Sequence, residues 1–323
     1  MSLPRITVML AEQEADLPGL DALADQAQVR QVRHRADIAA ALPETDILVV
    51  TDFRTDLLAE VWPSPCPIQW IHATSAGVDA LMIPPIRDSD IVVTNARGTF
   101  DRGIAEYVLG ALLLFAKDTL GNLRYQRQQQ WQHRETRLLR DQQALIVGAG
   151  SIGREVAGLL GAMGMSVIGT ARRARQDAAF KRVHRQADLP ALLADADYVV
   201  ITAPLTPETE GLFDAQTFRQ MKPGAVLVNV GRGPIVRTDA LLQALNSGRL
   251  AGAALDVFEQ EPLPAGHPLW QQPNVMLSAH MAGDFIGWRA ALAQQFVDQF
   301  ALWRRQQPLN NTVDKAHGYV SGG

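Results

Sequence analysis

The sequence predicts an α/β protein built on two parallel, doubly wound sheets, and three observations carry that prediction. Short runs rich in Val, Ile and Leu recur through the first hundred residues, separated by helical or irregular stretches. A second series of such runs follows residue 143. Between the first run of that series and the helical pattern after it lie Gly148, Gly150 and Gly153, in the order G-A-G-S-I-G. Strands that alternate with helices make parallel sheets, because a parallel pair needs a crossover long enough to hold a helix.

Residues 6–10, 46–51, 68–73 and 91–95 read as the strands of a first, small α/β domain. Residues 100–117 form one apolar helix; its most apolar part, 104–116, contains Glu106 and Tyr107 and is too short to cross a bilayer. The stretch 121–143 is rich in Gln and Arg and holds Tyr125 and Trp131. Its first reading is a solvated face, its second an arm that packs on another subunit. Strands follow at 144–147, 166–170, 198–202, 225–230, 252–257 and 275–278, with a helix over 154–163. These strands complete a dinucleotide-binding, Rossmann-like sheet. A last helix over 286–305 has no sheet left to join and is expected to return to the first domain. The resulting division is a discontinuous substrate domain, 1–98 with 284–323, and a cofactor domain, 99–283, with the active site in the cleft between them.

Composition narrows the function. The chain has 323 residues, 47% hydrophobic and 20% charged, which is ordinary for a globular enzyme. A net charge of −4 gives no general attraction to nucleic acid or anionic membrane. The lone Cys66 excludes an internal disulfide framework, and no metal cluster is expected. Pro4 and Arg5 lead straight into a strand, so a cytoplasmic protein is expected.

The glycine turn is suited to a dinucleotide pyrophosphate. Gly148 permits a tight turn, Gly150 has no Cβ to block the diphosphate, and Gly153 lets helix and strand approach; Ser151 and Ile152 open the helix whose N–H groups face the anion. An NAD site normally carries Asp or Glu about 20 residues beyond the first glycine. Ala171 stands there instead, followed by Arg172 and Arg173. Loss of the acid removes repulsion and the arginines offer charge-assisted bonds, so NADP(H) is the preferred cofactor and NAD(H) the second.

Other strand ends add cofactor-facing candidates: Ala203, Pro204 and Thr209 in one turn, Val230 and Gly231 before Arg232, Asp256, and Ala282 with Gly283. Turn formation alone explains Ala203 to Thr209, and Asp256 either caps the next turn or meets the nicotinamide. Arg232, Glu261 and His280, taken singly, would be a solvated base, a surface acid and a structural histidine. Together they supply an anion anchor, a carboxylate and a proton donor, a set that fits reduction of a 2-keto acid.

The chain resembles the D-isomer-specific 2-hydroxyacid dehydrogenase family. The resemblance rests on S-A-G-V-D at 75–79, T-N-A-R-G at 94–98, I-A-E-Y-V-L at 104–109, the glycine turn, V-N-V-G-R-G-P-I-V at 228–236, A-L-D-V-F-E-Q-E-P-L at 254–263 and S-A-H-M-A-G at 278–283. It implies that Arg232 binds the substrate carboxylate, that His280 is the acid/base paired with Glu261, and that the loop of Ser75, Ala76, Gly77 and Val78 offers backbone N–H groups to the carboxylate. It also implies a homodimer and a small 2-keto or 2-hydroxy acid substrate of the glyoxylate or hydroxypyruvate kind. Three departures stand out: Ala279 where Pro is common, the missing ribose acid, and Asp284, which makes the histidine's surroundings more acidic. Asp52, Phe53 and Trp288 are candidates to line the pocket. Phosphite dehydrogenase and a dinucleotide-sensing corepressor scaffold remain as alternatives, while Glu261 argues against formate dehydrogenase, whose histidine partner is Gln.

Overall fold

Strand β1 (Arg5–Met9) is largely apolar and lies inside a sheet, as do β3 (Ile47–Val50) and β4 (Trp70–Ala73), every residue of which is buried, His72 included. With β2 (Gln28–Val32) and β5 (Val92–Asn95) they form an all-parallel sheet in the order β2-β1-β3-β4-β5. The structure, a computed structural model, describes residues 3–51 and 55–320, so Asp52 and Phe53 lie outside the described residues. Two compact units divide the chain: Met1–Phe100 with Phe285–Gly323, and Asp101–Asp284.

In the first unit, alternation within β3 sends Leu48 and Val50 to one core and Ile47 and Val49 to the other. The second core is closed by helix Trp288–Arg304, which buries Ala293, Phe296 and Phe300. Phe296 stacks on Trp70 with ring centroids 5.3 Å apart. Each such fully buried side chain contributes about 1.5–3 kcal/mol of transfer free energy. Strand β2 is absent from the sequence expectation. Its residues, Q-V-R-Q-V, form an edge and stay partly exposed, so they lack the apolar run of an interior strand.

The second unit carries seven parallel strands rather than the expected six. They are β6 (Gln143–Val147), β7 (Ser166–Ala171), β8 (Arg182–Arg185), β9 (Tyr198–Ile201), β10 (Ala225–Asn229), β11 (Leu250–Leu255) and β12 (Val275–Leu277). The order is β12-β11-β10-β9-β6-β7-β8. The extra strand, β8, is an edge whose R-V-H-R sequence buries only Val183. The order reverses about β6, which pairs with β7 on one side and β9 on the other. Such a reversal opens a crevice at the carboxyl ends of the strands, where ligands bind in open α/β sheets.

Helices Asp101–Ala116 and Ser151–Ala162 pack together in this unit. The Gln/Arg-rich stretch begins as a helix, Thr119–Arg127, whose N-cap Asp118 accepts the Gly121 N–H at 3.1 Å. Beyond it Arg134 ties the chain back to Asp118, Nε to Oδ2 at 2.6 Å. No helix among the described residues is long and apolar enough to cross a membrane.

Candidate active site

The glycine turn sits between β6 and helix Ser151–Ala162, beside the point of strand reversal. Gly148 has φ +112°, and a Cβ there would lie 2.6 Å from the Ala203 nitrogen. A Cβ on Gly153 would lie 2.3 Å from the Gly148 carbonyl oxygen, which also accepts the Thr202 hydroxyl at 2.7 Å. Close backbone approach therefore explains both glycines. At Gly150 a Cβ would meet nothing within 4 Å, so open space lies over the helix N-terminus, where Ser151 and Ile152 are half-buried.

Ala171 ends β7, and Arg172 and Arg173 follow it on the surface. Two further arginines, absent from the sequence expectation, approach the same turn. Arg175 donates through Nη2 to the Ala149 carbonyl at 2.5 Å, while its Nε is buried without a partner. Arg154 donates to Asp177 at 2.8 Å, and Arg175 lies 3.5 Å from the same carboxylate. An open glycine cradle with an unmatched guanidinium donor beside it fits an anionic dinucleotide.

Thr209 uses its hydroxyl to close its own turn, donating to the Pro204 carbonyl at 2.7 Å and accepting the Thr206 N–H at 2.8 Å. Ala203 is buried beneath Gly231, where a Cβ would lie 2.8 Å from the Ala203 carbonyl oxygen.

Arg232 leaves the end of β10 in the loop Val230-Gly231-Arg232-Gly233. Asn229, buried and outside the expected set, shapes this loop: its Oδ1 accepts the Gly231 N–H at 3.1 Å and its Nδ2 donates to the Arg232 carbonyl at 3.1 Å. A Cβ on Gly233 would overlap the Phe258 carbonyl at 1.9 Å. The glycines flanking Arg232 thus let the loop lie against the chain leaving β9 at Gly231 and against the backbone after β11 at Gly233.

His280 Nδ1 lies 2.8 Å from Glu261 Oε2, and the other Glu261 oxygen accepts the Phe258 N–H at 2.8 Å. Because a carboxylate only accepts, Nδ1 donates and Nε2 is the nitrogen left to exchange a proton with a ligand. Desolvation acts to raise the Glu261 carboxyl. The bonds from His280 and Phe258, with the positive charges of His280 and Arg232, outweigh it and hold the carboxyl below its ordinary range. The three residues therefore share one electrostatic environment.

Asp256, buried after β11, uses its carboxylate on protein donors: Ser278 Oγ at 2.5 Å, Met281 N–H at 2.9 Å and Ala282 N–H at 2.9 Å. The carboxylate thus caps not the turn that follows Asp256 in sequence but the turn after β12, which carries His280. Asp284 is pushed up from its ordinary value by desolvation first and then by the charge of Asp256, with His280 opposing. Gly283 packs at Gly103, where a Cβ would lie 2.8 Å from the Gly283 carbonyl oxygen.

In the other unit, the loop after β4 is folded by side chains. Ser75 Oγ donates to the Gly77 carbonyl at 2.6 Å, Asn95 Nδ2 to the Ala76 carbonyl at 2.5 Å, and Val78 is buried. Trp288 opens the last helix of that unit, its ring 6.2 Å from Phe100. No group of three or more His, Cys, Asp or Glu residues is placed to hold a metal ion among the described residues.

A family model described as D-isomer specific 2-hydroxyacid dehydrogenase, NAD binding domain, matches residues 109–282. A glyoxylate reductase of Thermofilum pendens is 35% identical over 243 residues, 73% of this chain and 72% of the relative. A D-isomer specific 2-hydroxyacid dehydrogenase of Xanthobacter autotrophicus Py2, solved with NADPH and MES, superposes with a TM-score of 0.84 at 30% identity, covering 97% of this chain and 99% of the other. The NADPH-dependent glyoxylate/hydroxypyruvate reductase of Sinorhizobium meliloti, solved with NADP and sulfate, gives a TM-score of 0.84 at 28% identity, covering 98% and 100%.

Proposed function

Because the chain belongs to the D-isomer-specific 2-hydroxyacid dehydrogenase family, we propose that it reduces a small 2-keto acid of the glyoxylate or hydroxypyruvate kind to the D-2-hydroxy acid, with NADPH preferred over NADH. The observation that carries the reading is the His280–Glu261 pair at 2.8 Å, with the Arg232 charge acting on the same carboxylate. The cofactor preference is supported by Ala171 at the end of β7 with Arg172 and Arg173 after it, and by NADPH or NADP in the two solved relatives.

The residues divide the work as follows. Reduced nicotinamide, when bound, supplies the hydride that reaches the keto carbon. Protonated His280 gives the Nε2 proton to the carbonyl oxygen, so that one hydride and one proton convert ketone to alcohol. Glu261 holds Nδ1 and stabilises the imidazolium before transfer. Arg232 binds the carboxylate and steadies charge developing on the oxygen. The turns at Gly148–Gly153 and Arg172–Arg173 would hold the diphosphate and the 2′-phosphate of the bound cofactor. The 75–78 loop offers backbone N–H groups to a carboxylate. A homodimer is the expected assembly, and Trp131, fully exposed, is the side chain proposed to meet the partner.

The test is a panel of glyoxylate, hydroxypyruvate, pyruvate and larger 2-keto acids with NADPH and NADH, run on the protein and on Arg232→Ala. Two charge-assisted bonds at about 1.5–3 kcal/mol each predict a loss of at least about 100-fold in kcat/KM, with NADPH affinity kept. Near-normal turnover by the variant removes Arg232 from the mechanism, and turnover of phosphite without any 2-keto acid replaces the reading.

A further inference from the structure

Tyr107 lies on helix Asp101–Ala116 with its hydroxyl 2.6 Å from Ser278 Oγ, and Ser278 Oγ lies 2.5 Å from Asp256 Oδ1. Chemistry fixes the direction of this chain. A carboxylate accepts, so Ser278 donates to Asp256, and Tyr107 donates to Ser278. The Tyr107 phenol is pushed up by burial first, against the Ser278 bond and helped by the Asp256 charge, which keeps it a donor.

Asp256 grips the residues around His280 from two sides. Its carbonyl accepts the His280 N–H at 2.8 Å, while its carboxylate accepts the N–H groups of Met281 and Ala282, the next two residues. His280 has φ +51°, a left-handed conformation that non-glycine residues seldom adopt. The turn therefore depends on where the Asp256 carboxylate points, and Ser278 is the side chain that orients it. Without that hydroxyl, Oδ1 keeps only the Met281 N–H, and the carboxylate is held less tightly in the orientation that serves Met281 and Ala282.

We propose that Tyr107 and Ser278 are positioning residues for the acid/base histidine, acting in series through Asp256. The inference rests on the reading of His280 as proton donor. Proton transfer is sensitive to displacements of about 1 Å, which cost on the order of 100-fold in rate. Ser278→Ala should then lower kcat about 10- to 50-fold and Tyr107→Phe about 3- to 10-fold, with NADPH Kd and substrate KM changed less than about twofold. Because the two hydroxyls act in series, the double variant should be no slower than Ser278→Ala alone. Ser278→Thr keeps the hydroxyl and should retain kcat to within about threefold.

A second measurement does not need turnover. In 15N-histidine spectra of the full chain, with the His280 ring assigned by its loss in His280→Asn, both hydroxyl variants should shift or broaden that ring's signals. Ser278→Thr should leave them in place. Unchanged ring signals, multiplying losses in the double variant, or losses of NADPH affinity as large as those in kcat overturn the proposal. If no 2-keto acid is reduced by the unaltered protein, the functional reading fails while the ring signals still decide whether the two hydroxyls hold the histidine.

Discussion

Acid should destabilise this protein through His72, a residue outside the candidate site. His72 lies on β4, fully buried, with its ring 5.5 Å from Phe296 and 6.1 Å from Trp70. Its Nδ1 meets Thr94 Oγ1 at 2.9 Å, that hydroxyl accepts Trp70 Nε1–H at 2.8 Å, and His72 Nε2 is buried without a partner. No carboxylate is among these neighbours, and burial lowers the pKa from 6.5 to about 3. The sign follows from proton counting. Above the unfolded value of 6.5 both states are neutral and stability is whole; below it the unfolded chain takes up a proton that the folded chain refuses. Stability is then lost at about 1.4 kcal/mol per pH unit until pH falls to the folded value, near 3. At about pH 5 the loss attributable to this one ring is about 2 kcal/mol relative to pH 8. His72→Gln keeps a polar atom for Thr94 but cannot take up the proton. Urea unfolding of both proteins at several pH values should show a gap that closes by about 2 kcal/mol as pH falls from 8 to 5. Parallel stability curves would mean that the ring is solvated or paired in the folded state, and the argument would fail.

Glu261 is held below its ordinary range and so carries its charge throughout neutral pH, favouring imidazolium at His280. Glu261→Gln removes that charge, and the falling limb of kcat for reduction should move to lower pH, as read from a pH profile with chemistry rate-limiting. Ala171→Asp with Arg172→Ala introduces repulsion and removes a cation at the turn after β7; the NADPH:NADH ratio of kcat/KM at low ionic strength should fall by roughly 10- to 150-fold. Trp131→Ala should weaken self-association about 30-fold or more if the fully exposed indole anchors a dimer, as measured by light scattering across a dilution series.

Interior strands were legible because parallel strands covered on both faces are continuous apolar runs, as I-L-V-V in β3 and Q-A-L-I-V in β6 show. Two of the four edge strands, β2 and β8, were not, whereas the edges β5 and β12 keep short apolar runs. Q-V-R-Q-V and R-V-H-R interleave polar residues with valine and owe their strand geometry to a neighbour, β1 and β7 respectively, which a local reading does not contain. The start of the Gln/Arg-rich stretch was missed as a helix because its cap, Asp118, adopts a left-handed conformation with φ +47° that no local pattern signals. In the candidate site, the glycines around Arg232 were visible but their reason was not. Gly233 is required by the Phe258 carbonyl, 25 positions away in sequence. Arg175 carried no motif at all, and only its buried Nε beside the glycine turn distinguishes it from the other arginines of that segment.

The gathering of residues 232, 256, 261 and 280 is a consequence of parallel topology rather than of any one motif. In a parallel sheet all carboxyl ends share one edge, and the register pairs Asn229 with Leu255 and Leu255 with Leu277. The residues one step beyond, Val230, Asp256 and Ser278, therefore leave the sheet side by side, and the loops they begin must meet. Two carboxylates then fall close to one histidine, and the structure gives them different partners. Asp256 accepts backbone N–H groups and a hydroxyl, which fixes main-chain geometry, whereas Glu261 accepts the imidazole itself. Exchanging charge for amide should consequently differ at the two positions. At Glu261 the amide oxygen can still accept from Nδ1 while the amide nitrogen faces the single Phe258 N–H, so one backbone contact is given up but the histidine keeps its acceptor and the pH dependence moves. At Asp256 the amide nitrogen, a donor, must face one of three donors, so the turn itself is disturbed. The separation of these two jobs, one carboxylate for place and one for charge, lets the ring gain and lose a proton while its backbone stays still.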